Sequence, residues 1–252
     1  MGENTKTNDS ILKKILSKNE IGTLFPLVFL CVVVTIINPN FMTFSNIMDV
    51  FRTASYYLIV GAPLTLLLIA ADMDLSIGAV TALGGVCCMF AMRAGVPMVP
   101  SILIGLAAGA LIGIFKAWII VDCELPALIV TLGIQYAVNG IVSITTRGLS
   151  VSGATKAFKV LGQGRIFGRI YLTVIIALII AIIYQLILSK TKYGRSLFAV
   201  GGNPETARLA GIPVKKRRKE IHVIVSVFAA LTGILMASRF SSAQTNAGAG
   251  TE

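Results

Sequence analysis

Long uncharged stretches, each close to the length of a bilayer crossing, constrain the fold of this chain more than any other feature. Charged residues make up 13% of the chain against 56% hydrophobic residues, too few for an ordinary soluble domain. A helix needs about 20 apolar residues to cross a bilayer. The sequence therefore predicts an all-α, polytopic bundle of seven spans, at 21–37, 53–71, 75–92, 94–121, 125–146, 170–189 and 221–238.

Basic residues predict the orientation, because Lys and Arg concentrate in cytoplasmic loops. The amino-terminal arm, residues 1–20, holds four of them and the loop 190–219 holds nine. Six crossings separate the two segments, so both are predicted to be cytoplasmic and residues 21–252 to form the membrane domain. The segment 147–169, predicted to lie outside, carries five. The first run is interpreted as a retained anchor rather than a cleaved signal peptide, since no small-residue cleavage site follows it.

The sequence lacks a set of residues that would support catalysis or metal binding. It has a single histidine and no phosphate-binding loop, so ATP hydrolysis, if it drives this protein, belongs to another chain. The net charge of +11 is explained by topology and anionic lipid, with no need for nucleic acid. Lys116 and Trp118 are interpreted as anchors at the cytoplasmic interface, and His222 as an interfacial histidine.

Two patterns inside the apolar runs predict helix contacts. Gly105, Gly109 and Gly113 recur every four residues and so lie on one helix face, where a neighbouring helix can approach closely. Gln135 and Asn139 are also four apart. That polar face indicates either hydrogen bonding between helices or the lining of a solute path, and the spacing does not decide between them.

The stretch "DMDLS" places two carboxylates between two spans that almost no loop separates. One interpretation is a plain interfacial turn, in which Asp74 caps the next helix and Ser76 starts it. The other is a helix broken inside the membrane, with Asp72, Asp74 and Ser76 beside a polar path, because irregular backbone survives there only when buried in protein or lining a cavity.

A short capped helix is predicted within the basic loop. Asn203 is a good N-cap, Pro204 suits the first helical position, Glu205 complements the dipole, and Gly211 can adopt the left-handed turn that ends the helix. Two turns gain little stability by themselves, so we expect this helix to pack against something else.

Several segments, in order along the chain, resemble one protein family. They are "DMDLSIGAV", "GLSVSG", "YGRSLFAVGGNPETARLAGIPVKK" and "LTGILMASRFSSAQTNAGAG". Over roughly residues 20–252 the chain is similar to the membrane permease subunits of bacterial ATP-binding-cassette sugar importers, the ribose-type branch.

The resemblance implies a multi-pass inner-membrane subunit that translocates a monosaccharide or similar small polar solute. It implies a second permease subunit, two cytoplasmic ATP-binding subunits and a periplasmic solute-binding protein as partners, with ATP used by the partner and no cofactor or metal bound here. The helix at 203–211 would be the coupling helix that contacts an ATP-binding subunit. The residues matched to it are Asn203, Pro204, Glu205, Ala207, Leu209, Ala210 and Gly211.

Two departures from the family pattern stand beside the resemblance. Asp72 occupies a position where many members have glycine, and the chain ends soon after the seventh run, so it is expected to be truncated relative to the family. The alternatives are a branched-chain amino-acid permease of the same importer class and an ATP-independent facilitator or secondary transporter. A membrane enzyme is the weakest alternative, because no catalytic set is present, and a truncated copy could also be a non-transporting scaffold.

Overall fold

The computed structural model describes residues 19–166 and 168–250, and the chain divides into two compact units at residue 50. In the first unit, α1 runs from Asn19 to Ile37 and a 3-10 helix from Pro39 to Met42. The Asn38 side chain caps the 3-10 helix by accepting from the Asn40 N–H at 3.0 Å. Helix α2, Phe44–Ile69, starts in this unit and ends in the second. The predicted arm, residues 1–20, lies almost wholly outside the described residues.

The second unit consists mainly of helices. In chain order they are α3 Ile77–Arg93, α4 Met98–Val121, α5 Ala127–Thr146, α6 Lys156–Gln163, α7 Leu172–Lys190, α8 Lys192–Gly202, α9 Pro204–Leu209 and α10 Val214–Phe240. Four two-residue strands form two antiparallel pairs. β1 (Val151–Ser152) pairs with β4 (Ser242–Ala243), and β2 (Arg165–Ile166) pairs with β3 (Ile170–Tyr171).

The prediction of an all-α, multi-pass membrane protein is confirmed. Within the described residues, α2, α4, α5, α7 and α10 are long and apolar enough to cross a bilayer. Two shorter apolar helices, Pro26–Ile37 and α3, fall on the remaining predicted spans. The last helix starts seven residues before the predicted span (214 against 221), because a helix needs no apolar side chains where it extends beyond the membrane.

Helices α3, α4 and α10 make up the closely packed core of the second unit, and glycines allow these helices to approach closely. The predicted glycine face of α4 lies against α3 and α10. A Cβ at Gly105 would lie 2.6 Å from the Gly84 carbonyl oxygen, and one at Gly109 would lie 2.5 Å from the Ala230 Cβ. A Cβ at Gly113 would lie 2.9 Å from the Val223 Cα. Because each side chain would overlap a neighbour, the three glycines set the distance between these helices.

The connections of the second unit gather at two opposite ends. At one, which we call the α9 end, segments 70–76, 122–126 and 191–213 lie together. Ion pairs join Asp122 to Lys219 at 2.6 Å and Glu124 to Lys215 at 2.9 Å. At the opposite end, β1 pairs with β4, and the Gly162 N–H donates to the Ser238 hydroxyl at 2.7 Å. Successive connections along the chain therefore lie at opposite ends, as expected when each long helix crosses the membrane.

Candidate functional site

A cavity of about 260 Å³ lies between α3, α5 and the segment that follows β4. Gln135, Asn139 and Ser143 stand along one face of α5, because they are spaced by four residues. Gln135 lies eight residues into α5, roughly 12 Å along its axis, so the cavity reaches well into the bundle. The complete lining is Gly78, Ala79, Ala82, Gln135, Asn139, Ser143, Thr245, Asn246, Gly248 and Ala249.

Small residues create this cavity. The first turns of α3 contribute only glycine and alanine to the lining, which leaves room in front of the polar face of α5. A Cβ at Gly248 would overlap the backbone of Gly78. This close backbone approach brings the segment 244–250 against the start of α3 and places Thr245 and Asn246 at the cavity.

The structure separates the residues that the sequence grouped as a candidate path. Gln135 and Asn139 line the cavity, whereas Asp72, Asp74 and Ser76 do not. Sequence reasoning missed Ser143, Thr245 and Asn246. Ser143 continues the four-residue spacing of Gln135 and Asn139, so the same periodicity could have found it.

Asp74 forms a buried ion pair with Lys116. Both side chains are 0% exposed, and the Lys116 ammonium contacts the Asp74 carboxylate directly. Asp74 Oδ1 also accepts from the Ser76 N–H at 2.9 Å and from the Ser76 hydroxyl at 2.6 Å. The prediction that Lys116 anchors α4 at a lipid–water interface is therefore wrong, because its charge is neutralised inside the protein.

Asp72 forms a second ion pair, with the start of α10. Arg218 donates to both carboxylate oxygens at 2.8 Å, a bidentate geometry that is stronger than a single contact. Burial would raise the pKa of Asp72, but the nearby His222 ring and the hydrogen bonds and charge of Arg218 hold it at about 2. The carboxylate is therefore ionised at neutral pH.

His222 lies beside this second pair. Its Nε2 is 3.4 Å from Asp72 Oδ2, and the side chain is 0% exposed. The ring of His222 is therefore buried within the protein, and its position at a membrane interface stays a prediction. Together the two carboxylates tie the break between α2 and α3 to α4 and α10.

Helix α9 has the local structure that the sequence predicted. The Asn203 side chain accepts from the Glu205 and Thr206 N–H groups at 3.0 Å, and Pro204 is the first helical residue. Gly211 has φ +82°, in the left-handed region. The helix ends at Leu209, Ala210 is its C-cap, and the Ile212 N–H donates to the Ala207 carbonyl at 3.0 Å.

One side of α9 faces the protein and the other faces solvent. Ala207 is buried in the core that α7, α8 and α10 share. Leu209 is 77% exposed, and Glu205 forms an exposed ion pair with Arg208 at 2.5 Å. A groove of about 480 Å³ separates Pro204, Glu205 and Arg208 from the 124–127 segment. The helix therefore presents an apolar tip and a charged pair beside an open groove.

The described residues contain no group of three or more His, Cys, Asp or Glu side chains able to hold a metal ion. The buried carboxylates are instead occupied by basic side chains from α4 and α10.

Comparison with known proteins gives consistent matches along most of the chain. Residues 46–252 match the family described as branched-chain amino acid transport system / permease component. The ribose import permease protein of Escherichia coli K12 is 31% identical over 234 residues, 91% of this chain and 73% of that protein. The L-arabinose transport system permease protein of the same strain is 33% identical over 238 residues, 93% of this chain and 71% of that protein.

A probable ABC transporter permease protein of Escherichia coli K12 is 33% identical over 244 residues, 96% of this chain and 73% of that protein. No solved structure is significantly similar to the chain.

Proposed function

The chain belongs to the family of branched-chain amino acid transport system / permease components, and from this premise we propose that it is the membrane permease subunit of an ATP-driven sugar importer. The solute is a monosaccharide or a similar small polar compound. ATP is hydrolysed by a separate subunit, and this chain binds no cofactor of its own.

The observation that carries the proposal is the cavity between α3, α5 and the 244–250 segment. Its polar lining consists of amides and hydroxyls, which suit a solute rich in hydroxyl groups. The names of two relatives, a ribose import permease and an L-arabinose permease, support the same class of solute. The description of the family names branched-chain amino acids, which makes an amino-acid permease the second candidate.

The link to ATP hydrolysis is proposed to pass through α9. The matched residues are Asn203, Pro204, Glu205, Ala207, Leu209, Ala210 and Gly211. Exposure of Leu209 and of the Glu205–Arg208 pair supports a contact with a protein outside the membrane. Ala207 anchors the helix to the core, so a push on α9 would reach α10 through the short 210–213 connection.

The remaining partners follow from the importer class. We propose a second permease subunit, two cytoplasmic ATP-binding subunits at the α9 end, and a periplasmic solute-binding protein at the opposite end. The protein would lie in the inner membrane with its amino terminus in the cytoplasm, as the basic residues predict.

A pull-down from native membranes in mild detergent tests this function. We expect an ATP-binding subunit to copurify with the wild-type chain and to be lost from Leu209→Asp, because a charge replaces the exposed apolar tip of α9. Leu149→Asp is the matched control, since Leu149 is also exposed, at 69%, but lies at the opposite end. Stable, monodisperse protein that captures no ATP-binding subunit would contradict the proposal and favour an ATP-independent facilitator.

A further inference from the structure

Charges are divided unequally between the two ends of the second unit. Among its described residues, every carboxylate lies at the α9 end: Asp72, Asp74, Asp122, Glu124, Glu205 and Glu220. The opposite end carries a group of cations that we call the basic surface: Arg147, Lys156, Lys159, Arg165 and Arg169. None of these cations forms an ion pair within the part of the chain that the structure describes. The described part of the second unit therefore leaves their charges without a partner.

Helix α6 presents part of the basic surface away from the protein. Phe158 is buried, and a Cβ at Gly162 would overlap the Arg239 backbone, so this face of α6 packs against α10. Lys156 and Val160 are spaced by four residues on the outward face, and both are exposed, Val160 at 56%. A cation and an apolar side chain are therefore neighbours on the same exposed face.

The hairpin of β2 and β3 repeats this combination. Arg165 lies over the Tyr171 ring, 4.6 Å from its centroid, and donates to the Tyr171 hydroxyl at 2.6 Å. These contacts hold the Arg165 side chain in place but do not neutralise its charge. Arg169 and Ile170 are adjacent in the chain and both exposed, Ile170 at 41%. The hairpin therefore also exposes a cation beside an apolar residue.

The basic surface lies where the chain leaves and re-enters the membrane. Helices α5 and α7 are both long and apolar enough to cross a bilayer, and segment 147–171 is the whole connection between them. Arg147 directly follows α5, and Arg169 lies just before Leu172, where α7 begins. Long basic side chains next to the end of a membrane helix extend to the level of the lipid headgroups. The cations are therefore within reach of lipid phosphates.

We propose that the basic surface, with the exposed side chains of Val160 and Ile170, binds anionic phospholipid in the leaflet at this end of the protein. Interfacial elements with basic and apolar side chains bind anionic membranes through both charge attraction and burial of apolar area. An acidic protein surface could also neutralise the cations. The apolar residues beside them and their position at headgroup level favour lipid. This inference goes beyond the proposed function and depends on neither the solute nor the source of ATP.

Anionic lipid also explains why basic residues collect at the end that the sequence predicts to be outside. The usual excess of Lys and Arg is cytoplasmic. If the α9 end is cytoplasmic, the lipid belongs to the outer leaflet of the inner membrane, where its phosphates compensate for the cations. Because salt screens attraction between exposed charges, high ionic strength should weaken this contact.

The single tryptophan of the chain, Trp118, allows a site-specific test. In a Trp118→Phe background, Val160→Trp places a fluorescent reporter beside the basic surface. The full chain is reconstituted in vesicles of equal parts phosphatidylglycerol and phosphatidylcholine, with one of the two lipids brominated in each preparation, so that quenching reports which lipid lies nearest. We expect brominated phosphatidylglycerol to quench at least about twice as strongly as brominated phosphatidylcholine, because each nearby Lys or Arg favours an anionic headgroup several-fold.

Neutralising the cations should remove this preference. Substitution by Gln is expected to make the two lipids quench equally when it is applied together to Arg147, Lys156, Lys159 and Arg169. Lys190→Gln with Lys192→Gln is the matched control, since both lysines are exposed but lie at the α9 end. These two substitutions should leave the preference for phosphatidylglycerol unchanged.

Two further reporters keep the test decisive. Leu178→Trp replaces Val160→Trp as a control, because Leu178 is 52% exposed on α7 away from the basic surface, and both lipids should quench it equally. Ala157→Trp, also at an exposed position of α6, serves if Val160→Trp does not elute as monodisperse protein.

Three results would overturn the lipid site. Equal quenching of the α6 reporter by the two lipids would favour an acidic protein partner instead. A preference for phosphatidylglycerol that survives the four Gln substitutions would show that the basic surface does not select the lipid. Weak quenching by both lipids would show that α6 stands clear of the bilayer.

Discussion

At the scale of single residues, paired buried charges distinguish this bundle from one held by apolar packing alone. Asp74 and Lys116 are both fully buried and are 42 positions apart in the chain. The buried Asp72 pairs with Arg218, which is partly exposed and 146 positions away. Removing one partner of such a pair is costly, because the remaining charge stays buried without compensation. Replacing both partners with neutral groups of similar volume is often tolerated.

Lys116→Met is expected to destabilise the protein by about 3–5 kcal/mol, because the Asp74 carboxylate would stay buried without its partner. The double variant Asp74→Asn with Lys116→Met should recover most of that stability. Thermal unfolding in detergent measures both. Lys190→Met is the control, since Lys190 is exposed at the end of α7 and should change stability little. An unchanged unfolding temperature for the single variant would show that the buried pair does not stabilise the fold.

At the scale of elements, the short helix α9 depends on the residues at its two ends. Helix α9 has six residues, too few to be stable by itself. Asn203 satisfies two of its free N–H groups, and Gly211 allows the reversal that leads into α10. These local features orient the exposed tip of α9 relative to the first turns of α10, which hold the Arg218 and His222 contacts with Asp72.

Gly211→Val should uncouple ATP hydrolysis from transport while leaving membrane insertion intact. The left-handed region costs a residue with a Cβ roughly 1–2 kcal/mol of conformational free energy, and it is least favourable for a β-branched residue. The end of α9 would therefore shift. ATPase activity of the purified complex, measured with and without solute, reports the effect. Gly202→Val is the matched control, because a Cβ there meets nothing within 4 Å and no positive φ is required. Solute-stimulated ATPase activity at the wild-type level in Gly211→Val would mean that this turn does not position the helix.

At the scale of the whole molecule, the connections between helices lie at two opposite ends of the second unit, and this arrangement predicts an orientation in the membrane. Ion pairs join segments 70–76 and 122–126 to the first turns of α10, which directly follow segment 191–213. The β1–β4 pair and α6 lie at the other end. If basic residues set the orientation, the α9 end is cytoplasmic. Every loop at that end should then be inaccessible to a membrane-impermeant reagent that is added outside the cell.

Labelling with a membrane-impermeant maleimide checks this orientation. Cys123 is exposed at the α9 end, whereas Cys88 is buried. In a variant that keeps only Cys123, we expect labelling in inside-out vesicles and none in intact spheroplasts. Adding Leu149→Cys to a cysteine-free chain should give the reverse pattern. Labelling of Cys123 from outside would place the α9 end in the periplasm and rule out its contact with a cytoplasmic ATP-binding subunit.

Features that depend on neighbouring residues could be predicted from the sequence. Uncharged runs identified the apolar helices, because the polarity of a segment decides whether that segment can lie in a membrane. The cap at Asn203 and the turn at Gly211 follow from side chains within one helical turn. Contacts between distant groups became visible only in the folded chain. Tertiary packing paired Asp74 with Lys116, buried His222 beside Asp72, and brought Thr245 and Asn246 to the polar face of α5. Spacing along the chain carries no information on such contacts, since they arise only when helices far apart in sequence pack together.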